Sequence, residues 1–227
     1  MSWLLLFDID GTLVSTGGAG SKAMALALED LYGTSDGLMS LRMAGKTDPV
    51  IFREAAQDLH LPARDGDLAR FRKRYLAHLA QLVGRMPGGR VIPGVRELLG
   101  ASSAMPGVYT GLLTGNWREG ARLKLSAFDL WNSFAVGAFA DDSEVRDELV
   151  PFARGRLEQR HGITLEPGHV VVIGDTPSDI RCARPHGAAA LAVATGPYSV
   201  DDLAEHAPDY VVPALPGAET LKLLGIG

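Results

Sequence analysis

The stretch LLLFDIDGTLV, Leu4–Val14, decides how this chain is read. Trp3 to Phe7 is a short, unbroken apolar run, the pattern of a strand buried on both faces of a parallel sheet. It runs straight into Asp8 and Asp10, followed by Gly11 and Thr12. Side chains two apart on an extended backbone point the same way, so both carboxylates leave the strand together. Carboxylates held that close repel unless something positive lies between them.

Outward from this stretch, the chain alternates strands and helices over most of its length. VYTGLL (Val108–Leu113), FAVGAFA (134–140), HVVVIGD (169–175), AAALAVATG (188–196) and DYVVP (209–213) read as strands separated by helical segments. That alternation predicts an α/β, doubly wound, Rossmann-like parallel sheet. Residues 15–85 break it. They carry helix signals such as DPVIFREAAQDLH and DGDLARFRKRYLAHLAQLVGRM but no convincing strand. We read an all-helical cap domain over 15–85, inserted into a core of 1–14 plus 86–227. Asp48-Pro49 predicts a helix start, with Asp48 giving the cap oxygen and Pro49 the first helical position.

The totals narrow the function classes. The 227 residues carry a formal net charge of -5 with a pI near 5.7, which argues against a general nucleic-acid or polybasic membrane surface. One cysteine, Cys182, precludes an internal disulfide and suits a reducing compartment. With no signal-like start and no span-length apolar run, the expectation is a cytoplasmic monomer or homodimer, without a nucleic-acid or membrane partner.

In doubly wound sheets, ligands bind beyond the carboxyl ends of the strands. Those ends supply Asp8, Asp10 and Thr12; then Thr114, Gly115 and Asn116; then Asp141, Asp142 and Arg146; and finally Asp175 and Asp179. Any one could be a turn or a cap. Converging acids need a cation, and hard oxygen donors suit Mg2+, whereas the six scattered histidines form no zinc pattern. GAGSKA, Gly18–Ala23, matches a dinucleotide fingerprint formally, but Asp8 and Asp10 intervene between the strand and its first glycine.

FDIDGTLV, LLTGN and VVVIGDTPSD resemble, in order, the first, second and fourth motifs of the haloacid dehalogenase superfamily of phosphohydrolases. An insert right after the first motif resembles the helical cap of its phosphoglycolate phosphatase-like and phosphoglucomutase-like branch. The resemblance implies Asp8 as the nucleophile that forms an aspartyl-phosphate, and Asp10 as the general acid and base. It implies Mg2+ held by Asp8, the Asp10 backbone carbonyl and Asp175, with Asp179 supporting the metal site. Thr114 would bind phosphate, alongside Gly115 and Asn116. The third motif ordinarily brings a lysine, yet none lies between Lys124 and Lys222; Arg146 stands in that region and is assigned the role. In the cap loop RMAGKTD, Arg42 and Lys46 are the basic candidates for an anionic small phosphorylated metabolite. The implied activity is a Mg2+-dependent phosphatase. A phosphomutase on the same scaffold, or a non-catalytic protein retaining the fold, are the alternatives.

Overall fold

The computed structural model describes residues 2–35, 38 and 41–226. Its centre is β1 (Trp3–Phe7), whose Leu4, Leu5, Leu6 and Phe7 are all fully buried. β1 lies between β4 (Val108–Leu113) and β6 (Val170–Gly174), parallel to both. β5 (Val136–Ala138) extends the sheet beyond β4, while β7 (Ala189–Val193) and β8 (Tyr210–Val212) extend it beyond β6. The order β5-β4-β1-β6-β7-β8 therefore reverses direction at β1, which makes the β1–β6 edge a topological switch point.

Alternation along the strands sends apolar side chains to two separate cores. Leu5 and Phe7 join Val171 and Ile173 under α4 (Val95–Ala104), α5 (Arg118–Ser126) and α9 (Glu219–Leu223). Leu4 and Leu6 join Val170 and Val172 under α6 (Leu149–His161), α7 (Pro177–Ala183) and α8 (Val200–Ala204). Both faces of the sheet are thus covered, as an unbroken apolar strand requires. Truncating any of these leucines to alanine should cost about 2–5 kcal/mol.

Between β1 and β4 the chain leaves the sheet through β2 (Val14–Thr16) and returns through β3 (Gly89–Val91), which pair antiparallel. This two-stranded stem is absent from the sequence reading, because three residues per strand are too few to show a period. It carries α1 (Ala19–Tyr32), α2 (Asp48–Asp58) and α3 (Asp67–Leu82). Their buried faces form a third cluster, including Met24, Leu28, Phe52, Phe71, Tyr75 and Leu79, closed by Trp117 and Ala140 from the sheet side. Among the described residues, no helix is long and apolar enough to cross a membrane.

Candidate active site

Four loops at the carboxyl edge of the sheet meet at Asp8. The Asp8 amide donates to the Ile173 carbonyl at 3.0 Å, continuing the β1–β6 ladder one step beyond the strand. Gly11 then turns the chain back at φ 86°, a conformation open to glycine. A side chain there would also strike Asp175, whose Oδ2 lies 2.4 Å from the position of a Cβ. Thr12 donates to Asp175 Oδ1 at 2.8 Å, tying the two loops together. Asp179 sits in the first turn of α7, where its Oδ2 accepts from the Thr176 amide (3.0 Å) and hydroxyl (2.7 Å) and fixes the carboxylate's direction.

These contacts gather Asp8, Asp175 and Asp179, all buried, with one carboxylate oxygen of each within 4.8 Å of the others. Arg146, only 5% exposed, ion-pairs with Asp8 Oδ1 at 3.0 Å and with Asp179. One guanidinium does not balance three buried carboxylates. Burial, opposed by Arg146 and reinforced by Asp179 and Asp10, raises Asp8 to a pKa of about 6. Burial together with Asp8 and Asp179 pushes Asp175 well above the ordinary carboxylate range. A clustered set of hard oxygen donors short of positive charge fits a divalent cation.

The opposite side of Asp8 has a different composition. Asp10 Oδ2 accepts from Lys124 Nζ at 2.5 Å and from Asn116 Nδ2 at 3.0 Å. Asn116 also donates to Thr114 Oγ1 at 2.8 Å, while its own Oδ1 accepts from Lys124 at 2.7 Å. One buried amide thus aligns a carboxylate, a hydroxyl and an ammonium. Thr114 is fully buried at the end of β4 and keeps its own proton free to donate. These groups line a cavity of about 270 Å³, together with Asp8, Arg146 and Asp175 and with Met24, Met43, Ile51 and Tyr75 from the helical insert.

A family model described as haloacid dehalogenase-like hydrolase matches residues 5–184, most of the chain. The chain belongs to the haloacid dehalogenase-like hydrolase family. The probable phosphatase IndB of Dickeya dadantii (strain 3937) is 28% identical over 215 residues, covering 93% of this chain and 90% of that protein. A phosphoglycolate phosphatase of Rhodospirillum rubrum is 28% identical over 210 residues, covering 88% and 82%. Among solved structures, a hydrolase from Pseudomonas syringae superposes with a TM-score of 0.76 at 19% identity, over 100% of both chains. That likeness agrees with the sheet and helix arrangement described above.

Of the residues singled out in this haloacid dehalogenase-like hydrolase, Asp8, Asp10, Thr114, Gly115, Asn116, Lys46, Arg146 and Asp175 line the one cavity. Asp179 stands behind it, against Arg146. Arg42 is exposed and lies outside the lining. Lys46 reaches the lining but is ion-paired with Glu54. Asp141 and Asp142 turn away: Asp141 accepts from the Arg118 amide at 2.6 Å, and Asp142 from Arg156. Asp48 corrects the expectation of a helix cap. Thr47 is the N-cap of α2, and the buried Asp48 carboxylate accepts from the Trp117 amide at 2.8 Å instead. The Asp48 amide donates to the Gly115 carbonyl at 2.7 Å, so this corner of the insert is bound to the loop after β4. Gly115 permits that approach, since a Cβ there would lie 2.2 Å from the Lys46 carbonyl oxygen.

Three contributors escaped the sequence reading. Lys124 comes from the last turn of α5, where its spacing resembles that of any helix-surface lysine; only its 4% exposure marks it. Gly20, part of the glycine-rich decoy, leaves room for it, because a Cβ there would sit 3.3 Å from Lys124 Nζ. The loop after β7 braces the floor of the site. Thr195 donates to the Gly11 carbonyl at 2.6 Å, and a Cβ on Gly196 would fall 1.7 Å from Asp175 Oδ2. The strand-end glycine of ATG was the available signal.

Proposed function

We propose that this chain is a Mg2+-dependent phosphatase of small phosphorylated metabolites, acting through an aspartyl-phosphate on Asp8. The observation that carries the reading is the pairing of Asp8 with Arg146 at the floor of a cavity, flanked by the Asp175–Asp179 acids and by Asp10. The relatives named as phosphatases support the same reaction class. When bound by Asp8, Asp175 and the Asp10 carbonyl, with Asp179 in support, Mg2+ would supply positive charge against the phosphoryl oxygens.

Arg146 and Thr114 hold the phosphoryl group in line with Asp8, the first by charge and the second by its free O–H. An Asp8 carboxylate oxygen attacks phosphorus, the bond to the leaving oxygen breaks, and the Asp10 carboxyl passes its proton to that oxygen. Water then attacks the acyl phosphate. Asp10 takes the water proton, the Asp8–phosphorus bond breaks, and inorganic phosphate leaves. Lys124 and Asn116 occupy Asp10 Oδ2, which leaves Oδ1 as the oxygen without a protein partner, able to carry the proton. The helical insert forms one wall of the cavity, and we assign it the role of a cap that excludes water.

Phosphate release from a panel of phosphate monoesters tests this reading. Release should require Mg2+ and fall at least about a thousandfold in Asp8→Asn. Substantial turnover in that variant would remove the covalent step. An isomerised sugar phosphate in place of free phosphate would point to the mutase.

A further inference from the structure

One part of the cavity is not used by this chemistry. Tyr75 of α3 is fully buried and lines the cavity, yet among the described residues its hydroxyl has no hydrogen-bond partner. Buried hydroxyls are ordinarily paired, so an orphan on a residue that lines a cavity points to a missing partner. Burial and the charges of Asp48 and Asp10 push the phenol well above its ordinary pKa, which keeps it a neutral donor. Lys124, which lines the same cavity, uses two of its three ammonium protons, on Asp10 and Asn116. Asp48 uses one carboxylate oxygen, on the Trp117 amide. Met24, Met43 and Ile51 give the same cavity an apolar part.

We propose that Tyr75, Asp48 and the remaining proton of Lys124 form a subsite for an uncharged hydroxyl group on the leaving alcohol. Donors and an acceptor side by side match a hydroxyl, which both gives and takes a hydrogen bond. A carboxylate matches less well. The single charge of Lys124 is already matched by Asp10, and the other lysine of the cavity, Lys46, is paired with Glu54. A further anion would enter a region with no spare positive charge. The subsite therefore favours phosphate esters of small polyols over those of hydroxy acids, and it rests on the phosphatase reading above.

The test compares sn-glycerol 3-phosphate, n-propyl phosphate and 2-phosphoglycolate by calorimetry on the full chain carrying Asp8→Asn, with Mg2+. Glycerol 3-phosphate should bind about tenfold more tightly than n-propyl phosphate, the fold-change that about 1.4 kcal/mol produces. It should also bind more tightly than 2-phosphoglycolate. Adding Tyr75→Phe should reduce the first preference to about twofold to threefold. The same substitution should leave the melting temperature of the free protein unchanged or raise it, because the hydroxyl it removes has no partner. Equal affinities, tighter binding of 2-phosphoglycolate, no binding of any ester, a full preference in the Phe variant, or a lowered melting temperature would each overturn the subsite. Turnover separates this from the phosphatase reading. Hydrolysis of n-propyl phosphate without a preference removes only the subsite, whereas a binding preference without any phosphate release by the unsubstituted protein removes only the phosphatase.

Discussion

The two halves of the cavity are built on different plans. The half holding Asp175, Asp179 and Arg146 comes wholly from the sheet's own loops, with acids in excess around one guanidinium. The half holding Asp10 and Lys124 is assembled from a strand end, the last turn of α5 and three helices of the insert, and its charges are closer to balance. The first half suits groups common to every phosphate monoester. On the proposed reading the second half receives the leaving alcohol, and it is built partly by the insert.

The largest expected effect lies in the first half. Arg146→Ala removes the cation that Asp8 and Asp179 share, and should lower kcat by about 10²–10³-fold, with partial recovery in Arg146→Lys. A change of less than about threefold would mean that phosphate does not rely on this guanidinium. Next, Lys124→Met should lower kcat by about tenfold to a hundredfold, because Asp10 loses the partner that orients it while the phosphate-binding half is untouched. On an ester with no second hydroxyl, such as n-propyl phosphate, KM should move little. An effect on KM alone would make Lys124 a substrate contact and nothing more, blurring the distinction between the halves.

The smallest effect concerns pH. Burial, opposed by Lys124, raises Asp48 from 3.8 to about 7, so between those values the folded chain holds a proton that the unfolded chain has released. That contribution to stability is complete below pH 3.8 and is lost as pH rises through about 7. In the presence of Mg2+, the melting temperature should therefore fall more steeply between pH 3.8 and about 7 in the unsubstituted protein than in Asp48→Asn. Parallel curves would place the ionisation of Asp48 outside this range.

The same division separates what the sequence made legible from what it hid. Strand ends are punctuated by a change from apolar to polar residues, so Asp8, Thr114 and Asp175 were readable from LLLFDID, GLLTG and VVVIGD. Arg146 followed from the absence of a lysine between Lys124 and Lys222. Lys124 itself was hidden, since a helix places a buried residue every third or fourth position without changing residue type at that point. Tyr75 reads as one more aromatic of the α3 core for the same reason. Asp48 was found but misread: Asp-Pro is a common helix start, and only the tertiary contact with Trp117 shows where its carboxylate goes. The parallel sheet and its two-sided core followed from strand–helix alternation, whereas the strand order was not read and the β2–β3 stem was too short to leave a pattern.

Asp8 as the phosphorylated residue is the central claim, and chemical trapping tests it most directly. Borohydride reduces an aspartyl-phosphate to homoserine. Protein quenched with borohydride during turnover with Mg2+ and a phosphate ester should therefore show homoserine at residue 8 by peptide mass spectrometry, and none when either is omitted. Steady phosphate release with residue 8 recovered only as aspartate would contradict the account.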